Sequence, residues 1–431
     1  MTIEQLYSIY LEHPSVQTDT RQLKPGDLFF ALKGPNFNAN QLAIKALEEG
    51  ARYAIVDEIP PGGAHPGIIQ VENVLETLQQ LAGYHRSRFD IPFIGITGSN
   101  GKTTTKELIH AVLSTTYITY TTQGNLNNHI GIPLTLLRVG KDAQMAVIEM
   151  GANHIGEIAG YCTYARPTHG IITNTGKAHL EGFGSLEGVR KGKGELYDHL
   201  RKTGGTAFVM WDYDYLREMS LGISHLVTYG AGQTPGDEDV IGNATGEQEF
   251  LQVTIRKGAD IPTLRTHLVG DYNLPNVLAA VTVGKQFRVT EAHIQRAIET
   301  YTPTNSRSQM IRYGSNNVIL DAYNANPSSM AAAIENFARI QGSGKVLLLG
   351  GMKELGSESV AEHQQLVDLI DRYPWEAVAL VGGDFAKVSH RYTFLPDTTM
   401  ARNWLRERAF TNATILIKGS RGIAMENVLE S

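Results

Sequence analysis

Short apolar runs recur along the whole chain, and many of them end in glycine or polar residues rather than in more apolar sequence. Residues 28–32 (L-F-F-A-L) follow a K-P-G-D turn and read as a strand, as do 53–56 (Y-A-I-V). Between and after them, 41–50 and 74–85 carry helical patterns, with a P-P-G-G loop at 60–63. Residues 91–97 (I-P-F-I-G-I-T) then form an apolar strand that runs through a glycine-rich turn into a helix. Further strands are expected at 143–148, ending in E-M-G, and at 170–173, ending in Asn174, Gly176, Lys177, His179 and Glu181. Alternating segments between 207 and 268, such as 250–255, suggest a β-rich insertion, and an alanine-rich helix follows at 277–283. The last stretch alternates strands (318–321, 346–349, 377–381, 392–395, 415–417) with helices (327–337, 360–371, 400–408). This is an α/β chain of three units, 1–88, 89–304 and 305–431. Polar strand ends gather in the second and third, so a site is expected to close between them.

The turn after residues 91–97 organises the chemistry. It reads T-G-S-N-G-K-T-T, with Gly95, Gly98 and Gly101 permitting backbone bends that a Cβ would hinder. Peptide N–H groups in such a turn and at the helix start cradle phosphate oxygens. Lys102 can reach a terminal phosphate, and Thr103 can offer its hydroxyl to Mg²⁺. Strict G-x-x-x-x-G-K-T would need glycine where Ile96 stands. Glu149, a carboxylate at the end of a strand near the loop, suits Mg²⁺ directly or through water. His179 reads equally as a metal ligand or a helix cap. Arg190, Lys191 and Lys193 read on composition as a solvated face. Asn273 and Asn276, three apart at a helix start, read as caps or as partners of a base or ribose. Thr18–Arg21 mixes hydroxyls, a carboxylate and a guanidinium; it suits a phosphorylated sugar or nucleobase, or is a surface ion pair.

Composition narrows this little. At 431 residues, 42% hydrophobic and 19% charged, the chain is long enough for about three domains. A formal charge of −6 gives no reason to expect a nucleic-acid partner. The one cysteine, Cys162, excludes an intrachain disulfide and a multi-cysteine metal site, and reads as a small buried helix residue. The N-terminus M-T-I-E-Q-L-Y lacks a basic start and a long apolar run, and no stretch reaches the roughly 18 apolar residues that span a bilayer. A cytoplasmic protein without a membrane span is expected. The third unit lacks G-x-G-x-x-G, so hydride transfer from a dinucleotide has no support.

Taken together, the motifs resemble those of the ATP-dependent Mur ligases of peptidoglycan synthesis, over essentially the whole chain. They are T-D-T-R with P-G-D-L-F-F-A-L-K-G, G-I-T-G-S-N-G-K-T-T, G-N-L-N-N-H-I-G-I-P, E-M-G-A-N-H-I-G-E-I, T-N-T-G-K-A-H-L-E-G-F-G-S, K-G-K-G-E-L-Y, G-D-Y-N-L-P-N, D-A-Y-N-A-N-P and I-K-G-S-R-G-I-A-M-E. The resemblance implies a UDP-sugar-binding first domain (1–88). It implies a central P-loop mononucleotide-binding parallel sheet (89–304) and a Rossmann-like C-terminal ligase domain (305–431). It implies that Gly98, Ser99, Asn100, Gly101, Lys102, Thr103 and Thr104 wrap the ATP phosphates. Asn273, Asn276, Arg307 and Asp321 would surround the adenine, ribose and phosphates, with Asn324 and Asn326 in the same loop. Mg²⁺ would be held by Thr103, Glu149, His179 and Lys193, the last as a carbamate, with Lys191 its rival. Lys102, His179, Lys193 and Arg307 would be the catalytic set.

Within the family, the first domain lacks the glycine-rich nucleotide fold of the earlier ligases. Residues 356–359 (G-S-E-S) lack the acidic-asparagine-proline-arginine motif of the diamino-acid-adding one. Both features imply the step that joins D-alanyl-D-alanine to UDP-N-acetylmuramoyl-tripeptide; separately, a monomer is expected. Departures fall at Thr18 and Thr20 (serines in relatives), at 36–40, at His129 where an acidic residue is common, and at Gly351 in place of aspartate. The alternatives are another amide ligase of the superfamily, such as a folylpolyglutamate synthase-like enzyme, and a P-loop NTPase switch or interaction protein.

Overall fold

The computed structural model describes the chain except for residues 64, 234–236, 246–249, 305, 343 and 431. The first and last residues of the expected third unit, Asn305 and Ser431, therefore lie outside the described residues. Among the described residues, three larger open sheets follow one another in sequence, with a two-stranded ribbon of Lys33–Gly34 and Phe37–Asn38 in the first unit. The first pairs Val16–Gln17, Leu28–Phe30, Tyr53–Val56 and Ile68–Gln70, all parallel. Its strands alternate by face. Phe29, Ala54 and Val56 pack under the short helix Ala43–Glu48, and Leu28, Phe30 and Ile55 point the other way. The helix expected at 41–50 is a 3₁₀ turn, Ala39–Leu42, followed by that short helix. Helix Val74–Arg86 is N-capped by Asn73, which accepts from the Glu76 N–H at 3.0 Å. Its Leu78 and Leu81 share one core with Ile94 and Ile96, so the first sheet is welded to the second.

The central sheet has nine strands. Phe93–Thr97, buried throughout, lies between Met145–Glu149 on one side and His169–Ile172 on the other. Strand order reverses there, and the glycine turn leaves from its carboxyl end. The segment expected to be a β-rich insertion is β-rich, but its strands continue the central sheet. Thr206–Met210, His225–Gly230 and Val240–Thr245 extend the same sheet in parallel, with the helix Asp214–Ser220 between the first two. Only the edge strands Gln252–Lys257 and Leu264–Arg265 run antiparallel. Helix Leu274–Gln286 is buried along most of its length, from Asn276 to Gly284, which explains its run of small and apolar residues.

The third sheet orders its strands as Gln309–Tyr313, Asn316–Asp321, Thr414–Lys418, Lys345–Gly350, Ala377–Val381 and Thr393–Leu395. All pairs are parallel except the first, an edge hairpin strand absent from the sequence reading. Helix Pro327–Arg339 starts with proline at its first position and a capping box between Asn326 and Ser329. Apolar clusters cover both faces of this sheet. Among the described residues, no helix is long and apolar enough to cross a membrane.

Candidate active site

A cleft of about 690 Å³ opens where the carboxyl ends of the central and third sheets meet. Its floor is the glycine turn. Gly98 has φ +141° and Gly101 φ +79°, conformations that a side chain disfavours. A Cβ on Gly98 would fall 2.0 Å from the Thr173 hydroxyl, and one on Gly101 2.6 Å from Asn276 Oδ1. The neighbouring strand end clamps the turn. Ser99 N donates to Asn174 O (2.9 Å), Asn100 N to Asn174 Oδ1 (3.0 Å), and Thr173 Oγ1 to Asn100 O (2.6 Å). Helix Lys102–Ser114 begins at Gly101 without a side-chain cap, so its first N–H groups face the cleft as an anion cradle. Lys102 Nζ donates to Gly98 O (2.8 Å) and Ser99 O (3.1 Å). Burial pushes its ammonium down to about 8, Glu149 opposes that, and Arg307 adds to it.

Glu149 is buried. Its Oε1 accepts from Thr103 Oγ1 (3.1 Å) and Asn127 Nδ2 (2.8 Å), while its Oε2 has no hydrogen-bond partner. A buried carboxylate oxygen left unpaired is costly unless a cation meets it, which fits a metal at this point. Lys193 departs from the solvated-face reading. In helix Leu186–Thr203, Lys191 is exposed, whereas Lys193 is 1% exposed on the stripe formed by Val189, Leu196, Tyr197 and Leu200. Its Nζ donates to Ala152 O at 2.7 Å and lies 4.9 Å from the centre of the Phe183 ring. Burial, and then Lys102, hold this ammonium well below its ordinary range, favouring a neutral, nucleophilic amine.

His179 occupies the position before the short helix Leu180–Phe183 with φ +52° and makes no side-chain cap. Its Nδ1 lies instead against Glu354 Oε2 of the third unit, which holds that carboxyl below its usual range. Among the described residues no three His, Cys, Asp or Glu side chains converge. Thr103 and Glu149 touch, Lys193 is tied to the loop after Glu149, and His179 lies on the cleft wall facing the third unit.

Asn273 and Asn276 do not cap. Asn276 Nδ2 donates to Asn273 Oδ1 (2.9 Å), Asn273 Nδ2 to Val269 O (2.8 Å), and Thr105 Oγ1 to Asn276 Oδ1 (3.0 Å). The pair walls the cleft beside Gly101. Across from it, the Arg307 guanidinium stacks 3.7 Å from the centre of the Tyr323 ring. Asp321 accepts from Ser308 N (3.1 Å) and from the buried Lys418 (2.6 Å). Lys418, Tyr272 and Tyr323 line the cleft and were not singled out in the sequence, although each stands in a quoted motif. Besides the His179–Glu354 contact, further ties cross the seam between units. Asn326 Nδ2 donates to Asn100 Oδ1 (2.8 Å) while its Oδ1 caps Ser329 N (2.9 Å), and Lys177 Nζ donates to Glu362 Oε1 (2.6 Å). Outside the cleft, Arg21 forks onto Asp19 as an exposed surface pair. Cys162 is buried in helix Glu157–Ala165, with its thiol pushed up to about 12 by burial.

This fold and cleft recur in known proteins. Residues 96–284 match the Mur ligase middle domain, and residues 306–421 match the Mur ligase glutamate ligase domain. The chain belongs to the Mur ligase family. Its similarity to individual members runs the full length. The chain is 34% identical to the UDP-N-acetylmuramoyl-tripeptide--D-alanyl-D-alanine ligase of Bacillus subtilis over 96% of this chain and 92% of the relative. It is 35% identical to the ligase of the same name from Escherichia coli over 97% and 93%. The solved MurF ligase of Thermotoga maritima in complex with ADP superposes with a TM-score of 0.87 at 26% identity, covering 97% of both chains.

Proposed function

We propose that this chain is the ligase that joins D-alanyl-D-alanine to the terminal carboxylate of UDP-N-acetylmuramoyl-tripeptide, consuming ATP and releasing ADP and phosphate. The observation that carries the reading is full-length identity of 34–35% to ligases of that name, in a chain whose glycine turn and unpaired Glu149 oxygen share one cleft. In this reading residues 1–88 bind the UDP-sugar, 89–304 the ATP and 305–431 the incoming dipeptide, and the enzyme works as a cytoplasmic monomer.

A carboxylate is a poor electrophile. Its oxygen attacks the γ-phosphorus, the bond to the β-phosphate oxygen breaks with its electrons leaving on ADP, and an acyl phosphate results. The dipeptide nitrogen then attacks the acyl carbon, phosphate departs with the C–O pair, and the amine proton passes to a base. The free N–H groups of residues 101–104, with Lys102, balance charge moving over the phosphates. Asn273, Asn276, Arg307 and Asp321 hold the nucleoside and its phosphates from two sides. Thr103, Glu149, His179 and carbamylated Lys193 would hold Mg²⁺, whose charge would screen two anions that otherwise repel. The carbamate forms when the neutral Nζ of Lys193 attacks CO₂: an N–C bond forms, a C–O π pair moves to oxygen, and a proton leaves to solvent. Contacts such as Asn326 to Asn100 close the third unit over the turn and exclude water from the acyl phosphate.

The test is ADP release from ATP, Mg²⁺ and UDP-N-acetylmuramoyl-tripeptide, with and without D-alanyl-D-alanine, with the product weighed by mass spectrometry. Dipeptide-dependent release with a pentapeptide product is expected. Release indifferent to the dipeptide, with no mass gain, refutes the reading.

A further inference from the structure

The loop that follows Glu149 is fastened to helix Leu186–Thr203 at two points. At one, Lys193 Nζ donates to Ala152 O at 2.7 Å. At the other, the Glu195 carboxylate forks onto the far end of the loop. Its Oε1 accepts from Gly156 N at 2.6 Å and its Oε2 from Ala159 N at 2.8 Å. Helix Glu157–Ala165 starts at Gly156, in a left-handed conformation (φ +94°) and with no cap of its own. Glu195 is therefore its cap, supplied from another helix. Inside the loop, Glu157 Oε2 gathers the N–H groups of Asn153 (2.7 Å) and His154 (2.9 Å), making residues 153–157 one stiff turn.

We propose that Glu195 is a positioning residue for Lys193: it pins the loop so that the Ala152 carbonyl aims the nitrogen of Lys193. This inference rests on the carbamate reading above. A carbamylated lysine retains one N–H. If Ala152 O holds that N–H, rotation about the N–Cε bond is restricted, and the carboxylate of the carbamate turns away from Ala152. Without Glu195 the loop loses its far anchor, two amides at a helix start lose their acceptor, and Ala152 O is free to drift. A lysine nitrogen without that acceptor has no fixed orientation in its buried site. Outer partners of this kind commonly tune a site on the order of 10–100-fold.

The experiment is ¹³C NMR of the full-length enzyme equilibrated with ¹³C-bicarbonate, alongside the bicarbonate dependence of ATP turnover, for wild type, Glu195→Gln and Glu195→Asp. Glutamine keeps one acceptor and turns an amide NH₂ towards the other N–H; aspartate keeps the charge but is one methylene short. Asp397→Ala is the control for lost stability alone: it removes the cap of the remote helix Thr398–Arg408. Wild type and Asp397→Ala are expected to give a full carbamate resonance. Glu195→Gln is expected to need on the order of tenfold more bicarbonate for the same signal, and its turnover should recover at high bicarbonate. A Glu195→Gln or Glu195→Asp protein that melts earlier yet shows wild-type carbamate occupancy and bicarbonate response overturns the proposal. If Glu195→Gln does not fold, Glu195→Asp decides it by the same two readouts. Absence of the resonance from active wild-type enzyme overturns the carbamate reading, and this inference with it, while leaving the ligase reading in place.

Discussion

Replacing Gly98 with alanine tests the clamp on the glycine turn. Two costs follow from the geometry. The backbone at φ +141° suits glycine, and a side chain there costs about 1–3 kcal/mol. The new Cβ would also lie 2.0 Å from Thr173 Oγ1, and 3.1 Å from both the backbone N and O of Asn174. The backbone atoms cannot swing aside, so the Thr173 hydroxyl must. Its one proton, shared between Asn100 O (2.6 Å) and Thr97 O (3.3 Å), then loses its acceptors, at a cost of about 1 kcal/mol. The sum is about 2–4 kcal/mol, a large share of a domain's stability of about 5–15 kcal/mol. Because Asn100 carries the turn, a shift of about 1 Å should also raise the KM for ATP on the order of 100-fold.

The assays are urea unfolding and ATP kinetics on Gly98→Ala, Thr173→Ala and the double variant. Thr173→Ala alone should cost about 1 kcal/mol through its lost hydrogen bond. In the Gly98→Ala background it removes the colliding atom, so it should be neutral or stabilising, a coupling of about 1–2 kcal/mol. A Gly98→Ala enzyme with wild-type unfolding and ATP kinetics, or a cycle in which the two changes simply add, would show that Thr173 does not clamp the turn.

Two further outcomes follow from the same cleft. Lys102 titrates near 8 in the free enzyme, so its charge is present below that pH and lost above it; at pH 9 roughly a tenth remains. ATP affinity measured by calorimetry should fall up to about tenfold between pH 7 and 9, and Lys102→Arg should flatten the profile; an equally steep fall in Lys102→Arg would assign the titration elsewhere. Asn326→Asp keeps the oxygen that caps Ser329 N but loses the amide that reaches Asn100, so stability should change by less than about 0.5 kcal/mol while the KM for ATP rises several-fold. Equal losses in both would mean that the cap is the whole role of Asn326.

What the sequence shows and what it hides differ by where a residue's partner lies. The strand 93–97, the glycine turn and the helix after it are legible because their causes are local: an apolar run, residues that tolerate positive φ, and a helix start. Lys193 was legible too, by a different signal. Its spacing from Val189, Leu196, Tyr197 and Leu200 sets it on the buried stripe of helix Leu186–Thr203, but a count of charges in 190–193 conceals that, whereas Lys191 obeys the count. The segment 207–268 is β-rich as its alternation implies, but alternation within a strand does not say which sheet it joins; Thr206–Met210 pairs in parallel with His169–Ile172 of the central sheet. The contacts His179 to Glu354, Asn100 to Asn326 and Lys177 to Glu362 have no local signature at all. All three cross the seam between the central and third units. Each group they tie down stands in the turn or on the strand end that builds the cleft, so the arrangement of the site depends on how those two units meet. A reading confined to motifs names the participants there, Asn326 in the loop after Asp321 and His179 as a ligand or a cap, but only the seam shows that Asn326 meets Asn100 and His179 meets Glu354.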